Sequence, residues 1–422
     1  MKSLQNRRFR LLLLAVAGLP ILAQYGLQTV VAPLANSGFD PGDFNVYLKA
    51  AAALTGGRDP YRAFFASTVP DPTLNQAYIY PPLLAWALQP LAALPNHVAV
   101  SVGLLAGQLF LSLFLLLAGR AVRLRGLERW AVAVILTIGF YPVRLNLDGA
   151  QVNLLLLALS GVWFAGWVGG DRWWSGAALG VGAAIKFLQL PSIALLGWGR
   201  RWRALAAATG AFAVCWLVAA PGYLPEYLQR VLPALGGGTG FRENFAPTGT
   251  LYRLFVPASF YGPAPAPGMP VRAGAALIAL AAVVVTISSL GRPRWDRRGR
   301  ELEAASVVAA SPLVATLAWP SHLVLLLLPI LVLVNAAIDW GDVRLLIAAL
   351  ASWALLGVVH TTFLTAIAAG IRWEWLLRPW AESGLAGILV LWAASLYALR
   401  VRAAPAPATS REAPRLREPV PG

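Results

Sequence analysis

The sequence predicts an all-α polytopic membrane protein with about 11–13 transmembrane helices. Composition is the first reason: the 422 residues are 58% hydrophobic and only 12% charged, where a soluble domain carries about 25% charge. Hydropathy is the second. Its mean is +0.66, and apolar runs recur from residue 11 to residue 400, many near the ~20 helical residues that cross a ~30 Å hydrocarbon core. Lipid offers backbone groups no hydrogen-bond partners, so these runs must be helices. The charge pattern is the third. The net +16 is scattered through short loops, which gives no nucleic-acid face and fits basic residues gathered on the cytoplasmic side. Cys215 is the single cysteine and lies in an apolar run, so neither a disulfide framework nor a cysteine metal site is expected.

The elements follow from an inner N-terminus. Arg7, Arg8 and Arg10 precede a span at about 11–32; it is longer than a signal-peptide core and reads as a retained anchor. An outside segment, 33–96, contains PPLLAWALQPLAALP (81–95), short and proline-punctuated, hence interfacial or re-entrant. Residues 97–119 return inward, 130–143 go out, RLNLDGAQ (144–151) forms a short outside loop, and 152–169 come back. The next run, SGAALGVGAAIKFLQLPSIALLGWGRRWR, reads as two short helices, 175–185 and 188–199, meeting near Lys186 at the outer side. That places both flanking basic loops inside. Residues 203–220 go out to a second large outside loop, 221–271. Spans then follow at 272–290, 303–318, 323–338, 345–366 and 385–399, with RWEWLLRPWAES outside. Residues 1–400 thus form one transmembrane domain, and the Pro- and Arg-rich 401–422 read as a disordered cytoplasmic tail. No internal repeat is evident.

The polar outliers collect on the outer side. GFDPGDFNVYLKA (38–50) holds two acids. Asp40, before Pro41 and Gly42, reads as a turn former. Asp43 reads as a helix N-cap or as a general base beside a membrane cavity, and the two roles are compatible. Tyr80-Pro81-Pro82 marks a helix entry. Tyr61, Tyr78 and Tyr80 either stack on a sugar or anchor at the interface. Lys186, an intramembrane cation, either binds a phosphate or snorkels to the headgroups. Arg144, Asp148, Gln151 and Asn153 share a short outer loop, where an Arg144–Asp148 salt bridge and a ligand role are both open. In RENFAPTGTLYRLF (242–255), Asn244 and Arg253 either hold substrate or order the loop. His322, at an outer helix start, faces the same side as Asp43 and is a candidate partner in proton handling. The three His are far apart in sequence, which gives a metal site little support.

Several stretches, in order, resemble glycosyltransferase family 87, the polyprenyl-phosphate-mannose-dependent mannosyltransferases of the GT-C fold. They are GDFNVYLKAAAALTGGRDPY, YIYPPLLAWALQPLAALP, AQVNLLLLAL, GAALGVGAAIKFLQLP, ENFAPTGTLYRLF and WPSHLVLLLLP, spanning about 39–330. The chain departs from the family at Ala150, where Gly is frequent, and at Pro320, Ser321 and the single His322. The resemblance implies an inverting, metal-independent transfer of a sugar, mannose by family expectation, from a polyprenyl-phosphate donor to a hydroxyl of a lipid- or glycan-linked acceptor. The reaction would take place on the outer face of the cytoplasmic membrane, without a cofactor. By motif position Asp43 would be the base, Lys186 would lie near the donor phosphate, and His322 would be the active-site companion; Arg144 and Arg253 are further candidates for the phosphate on the reading of the residues. Tyr47, Tyr80, Gln151, Asn153 and Asn244 are the candidate substrate contacts. The alternative is a transporter or flippase, which places its polar residues near the midplane.

Overall fold

The computed structural model describes residues 7–36, 38–65, 77–255, 268–371 and 373–402; most of the expected tail, 403–422, lies outside them. Among the described residues there are helices and no strands, as expected of a polytopic membrane protein. Six of the described helices are long and apolar enough to cross a membrane. Two bent pairs pass the same test when each is taken as one span, and three shorter apolar helices stand beside them.

The first helix, α1 (Arg7–Gly26), continues through a wider π turn at Leu27–Val31 into Ala32–Ala35. The segment after it carries α2 (Asp43–Thr55) and two short helices, α3 (Pro82–Ala87) and α4 (Gln89–Ala92). The chain therefore breaks 81–95 into interfacial-length pieces, each opened by a proline at its N-terminus.

The span α5 (Asn96–Ala121) is followed by α6 (Gly126–Ile138) and α7 (Tyr141–Asp148), bent by 56°. Residues 144–148 are thus helical, where the sequence reading placed a loop. Pro142 in the first turn of α7 lacks the amide that would continue α6, so a new helix starts there at an angle. Next come α8 (Asn153–Gly169), α9 (Trp173–Ile185) and α10 (Leu190–Trp198).

The α9–α10 unit is a hairpin with Lys186 at its tip. Lys186 is extended, with φ −159° and ψ 130°, and Pro191 sits in the first turn of α10. At the base, the Asp171 carboxylate accepts from the backbone N–H of Arg203 (3.4 Å) and Ala204 (3.1 Å), so residues 171 and 203 share one end. Helix α11 (Trp202–Val218) then runs parallel to α9. Gly176 and Gly180 make the contact: a Cβ at either would collide with the carbonyl of Ala204 or Ala208. Small residues let backbones approach this closely, as at many membrane helix interfaces. Gln189 pins the tip, its amide donating to Leu156 O (2.7 Å) and Ser160 Oγ (3.1 Å) of α8.

Helix α12 (Pro221–Gly236) turns 93° from α11, and α13 (Pro247–Phe255) precedes the span α14 (Met269–Leu290). Helix α15 (Arg297–Val314) is N-capped by Asp296, whose carboxylate accepts from Gly299 N (2.7 Å). Beside it lies α16 (His322–Trp340), the most deeply buried of the crossing helices, packed against α15 and α17 (Val343–Ala368). A short α18 (Glu374–Ala381) and the span α19 (Ser383–Arg402) close the described chain.

Candidate active site

A cavity of about 860 Å³ opens where α2, the tip of the α9–α10 hairpin, α12 and the start of α16 meet. Asp43, Tyr47, Tyr80, Gln151, Lys186 and His322 all line it. Six of the ten candidate residues, scattered over 280 positions, are therefore brought to one chamber.

The acidic stretch divides as expected for Asp40 and differently for Asp43. The Asp40 Oδ1 accepts from Gly42 N (2.8 Å) and Asn45 Nδ2 (2.6 Å), forming the turn, and these bonds hold its carboxyl below the usual range. Gly42, at φ +59°, occupies the position before the helix, a left-handed conformation that favours glycine. Asp43 is the first helical residue and not the cap. Its Oδ2 accepts from Gln151 Nε2, which frees it from the helix end. Asp43 is accessible within the chamber but walled by protein. That desolvation raises its pKa above the usual carboxylate value, and the Lys186 cation opposes the shift.

Lys186 is held by three contacts. Its Nζ donates to Asn153 Oδ1 (3.0 Å) and to Tyr80 Oη (3.4 Å), and lies 4.8 Å from the Tyr80 ring centre. Tyr47 Oη in turn donates to Tyr80 Oη at 3.1 Å. Both phenols are raised in pKa, chiefly by burial, so they remain neutral donors.

A relay of amides links these groups. Asn153 Nδ2 donates to Gln151 Oε1 and to Asn146 Oδ1, each at 2.9 Å. Asn146 Nδ2 donates to Ser321 O at 2.8 Å, one residue before His322. Asn146 and Asn153 are fully buried, so Asn153 positions Lys186 and Gln151 from behind and does not line the chamber. The sequence reading missed Asn146; its spacing of seven from Asn153 is the only signal it offered. His322 Nδ1 accepts from Trp319 N at 3.4 Å, and no hydrogen bond joins His322 to Asp43.

Three candidates lie elsewhere. Arg253 is 4% exposed. Its guanidinium is saturated by Glu382 (2.7 Å) and by the carbonyls of Phe241 (2.8 Å) and Asn244 (3.0 Å). Asn244 is fully buried and accepts from Ala246 N (3.2 Å) and Ala318 N (2.9 Å). Both residues order the loop, the other reading open to them, and neither lines the chamber. Arg144, on α7, donates to Gln28 Oε1 (3.1 Å) and pairs with Asp148 (3.9 Å), tying α7 to the π turn that follows α1. Tyr61 and Tyr78 are also structural. Tyr61 donates to Tyr80 O (2.9 Å) and Tyr78 to Pro81 O (2.6 Å); both are buried, so neither stacks on a ligand nor anchors at the interface.

Glu243, next to the candidate Asn244 but not itself one, lines the chamber as its second carboxylate, and burial raises its pKa. Phe241 and Trp319, with ring centres 6.0 Å apart, form an aromatic wall beside it. Leu188, Leu190, Leu232, Leu235 and Val314 add apolar lining.

The chamber therefore combines a carboxylate able to accept a proton, a fixed lysine amine, neutral phenol donors, an aromatic wall and apolar lining. The family model of glycosyltransferase family 87 matches residues 78–320, which contain Tyr80, Gln151, Lys186, Glu243 and Trp319. No curated protein and no solved structure matches the chain.

Proposed function

The chain belongs to glycosyltransferase family 87 and is a membrane glycosyltransferase; on that premise we propose that it moves a sugar, mannose by the family resemblance, from a polyprenyl-phosphate donor to an acceptor hydroxyl with Asp43 as general base. The carrying observation is the placement of Asp43 and Lys186 in one chamber, each held by its own amide partner.

In this reading the apolar lining receives the lipid end of the donor, and the phosphate lies against Lys186 and the Tyr80 hydroxyl. The acceptor oxygen attacks the anomeric carbon from the face opposite the phosphate. As the new C–O bond forms, the old one breaks, and its electron pair goes to the phosphate oxygen. Lys186 is nearest to the charge that builds there, and a fixed cation in a low-dielectric chamber stabilises it more than water does. The acceptor proton passes to Asp43, whose raised pKa makes it a stronger base than a solvated carboxylate. Phosphate leaves as an anion, so the step needs no general acid. His322 lines the chamber with its ring held by the backbone at Trp319 and Leu317, beside the position taken by phosphate and sugar in this reading. The acceptor is a lipid- or glycan-linked hydroxyl, and the reaction is assigned to the outer face of the cytoplasmic membrane by the charge bias of the loops.

The test is transfer by the purified chain from radiolabelled polyprenyl-phosphate mannose to an extract of host membrane lipids and glycans. A labelled product that disappears in Asp43→Asn, with folding intact, is expected. Full activity in that variant overturns the assignment of the base; no product from any polyprenyl-phosphate sugar overturns the donor.

A further inference from the structure

The most basic loop of the chain, GRPRWDRRGR at 291–300, takes no part in the chamber. It packs at the base of the α9–α10 hairpin, and α9 separates it from Lys186 by 13 residues, roughly 20 Å of helix.

The arginines here fall into two groups. Arg297 and Arg298 pair with Glu301 at 3.3 and 2.7 Å, and Arg298 and Arg129 both reach Asp339. Those charges are matched. Arg201 and Arg300 are different: no hydrogen bond or ion pair to either guanidinium occurs among the described residues, whereas the Nε of Arg297, buried like theirs without a hydrogen bond, faces the Glu301 carboxylate. The nearby acids are engaged elsewhere, Asp296 in capping α15 and Glu303 in accepting Arg294 N at 2.9 Å.

Arg201 is 9% exposed and lies between two indoles, its Cζ 5.6 Å from the Trp167 ring centre and 5.1 Å from that of Trp295. Trp167 Nε1 donates to Arg300 O at 2.9 Å, which sets the second arginine beside the first. Burial, and then the Arg201 cation, lower the pKa of Arg300. Gly199 is required for this packing, since a Cβ there would collide with the Trp167 ring. Trp295 forms the outer wall and is 70% exposed, as suits a ring at a membrane interface. Arg201 is buried and Arg300 half-buried; Asp296 and Glu303 act on Arg300 only through space, so neither guanidinium has a direct partner for its N–H groups, and a planar fork of N–H donors fits a phosphate.

We propose that Arg201 and Arg300, walled by Trp167 and Trp295, form a binding site for a phosphate-bearing anion at the end of the bundle opposite the reaction chamber. A lipid headgroup and free phosphate present the same chemistry to it.

Full-length protein in detergent would be titrated with phosphatidylglycerol, phosphatidylcholine or inorganic phosphate and read by native mass spectrometry and thermal unfolding. One tightly held phosphatidylglycerol per chain, with a higher Tm, is expected. Displacement by millimolar inorganic phosphate identifies free phosphate as the ligand; retention of the lipid identifies the headgroup. Arg201→Gln with Arg300→Gln should weaken binding about tenfold or more, the loss of a charge-assisted hydrogen bond. Arg292→Gln, an exposed charge in the same loop, should not. Trp295→Ala removes only the exposed wall and should weaken binding even if the double variant does not fold. Unchanged binding in the double variant or in Trp295→Ala, an equal loss in Arg292→Gln, or no binding of any probe overturns the proposal.

Discussion

Asn153 accepts from Lys186 Nζ through Oδ1 at 3.0 Å while its Nδ2 donates to Gln151 Oε1 at 2.9 Å, so one buried amide orients both the cation and the partner of Asp43. Asn153→Leu keeps the volume and removes every one of these bonds. Leaving buried polar groups unpaired costs ~1–3 kcal/mol. A fall in kcat/KM of about tenfold to a hundredfold is expected, with the donor KM rising as Lys186 loses its direction. Steady-state kinetics with varied donor checks this. Wild-type kinetics in a folded variant would remove the amide relay from the mechanism.

Asp43 predicts a pH signature. Its carboxyl is raised by burial in the chamber wall. The base is inactive when protonated, so activity falls as pH drops through that raised value and recovers above it. The acid limb of kcat/KM should lie above the usual carboxylate range, and Asp43→Asn should lose about 10²–10⁴ in rate together with that limb. A limb unchanged in Asp43→Asn belongs to another group.

Lys186→Met tests leaving-group stabilisation. The methionine keeps the apolar stem and removes the charge. A loss of about 10²–10³ in kcat is expected, the magnitude of deleting one preorganised electrostatic contact. The acid limb set by Asp43 should move upward, because the cation that lowers the carboxyl pKa is gone. Measuring kcat against pH in the variant checks both outcomes.

Arg253 separates ordering from catalysis. Its side chain is 3% exposed and that of Glu382 27%, so the pair is buried at one end only. Arg253→Met leaves Glu382 and two loop carbonyls without their donor, which should cost on the order of 3 kcal/mol. The expected result is a lower Tm with donor KM little changed in the protein that remains folded. A large rise in KM at unchanged Tm would return Arg253 to the phosphate.

The sequence made the helical class legible because lipid imposes one requirement on every span, and Asp43 and Lys186 stood out because charges are rare in apolar surroundings. Arg253 and Asn244 carry the same chemistry as the candidates that line the chamber, and only their partners, Glu382 and the loop backbone, set them apart. The helix at 141–148 was hidden because its polar residues Arg144, Asn146 and Asp148 break the apolar pattern of a span. Gln189 and Asn146, which fix the site from behind, are single amides whose role depends on partners 29 and 175 residues away. Glu243 is hidden for the same reason: nothing local shows that a carboxylate paired with its neighbour Arg242 at 3.9 Å also lines a chamber.

The hairpin at Lys186 makes a topological prediction that a single span does not. Asp171 accepts from the backbone of Arg203 and Ala204, so both ends of the α9–α10 unit sit together, and Lys186 stands a helix length away. In a Cys215→Ser background, cysteines at exposed Arg172 and Arg200 should react with a membrane-impermeant maleimide from the same side. Lys186→Cys should react only from the other, through the chamber. A continuous helix over these residues would instead put positions 172 and 200 on opposite faces, about 42 Å apart at 1.5 Å per residue. Labelling of positions 172 and 200 from opposite sides would therefore refute the hairpin.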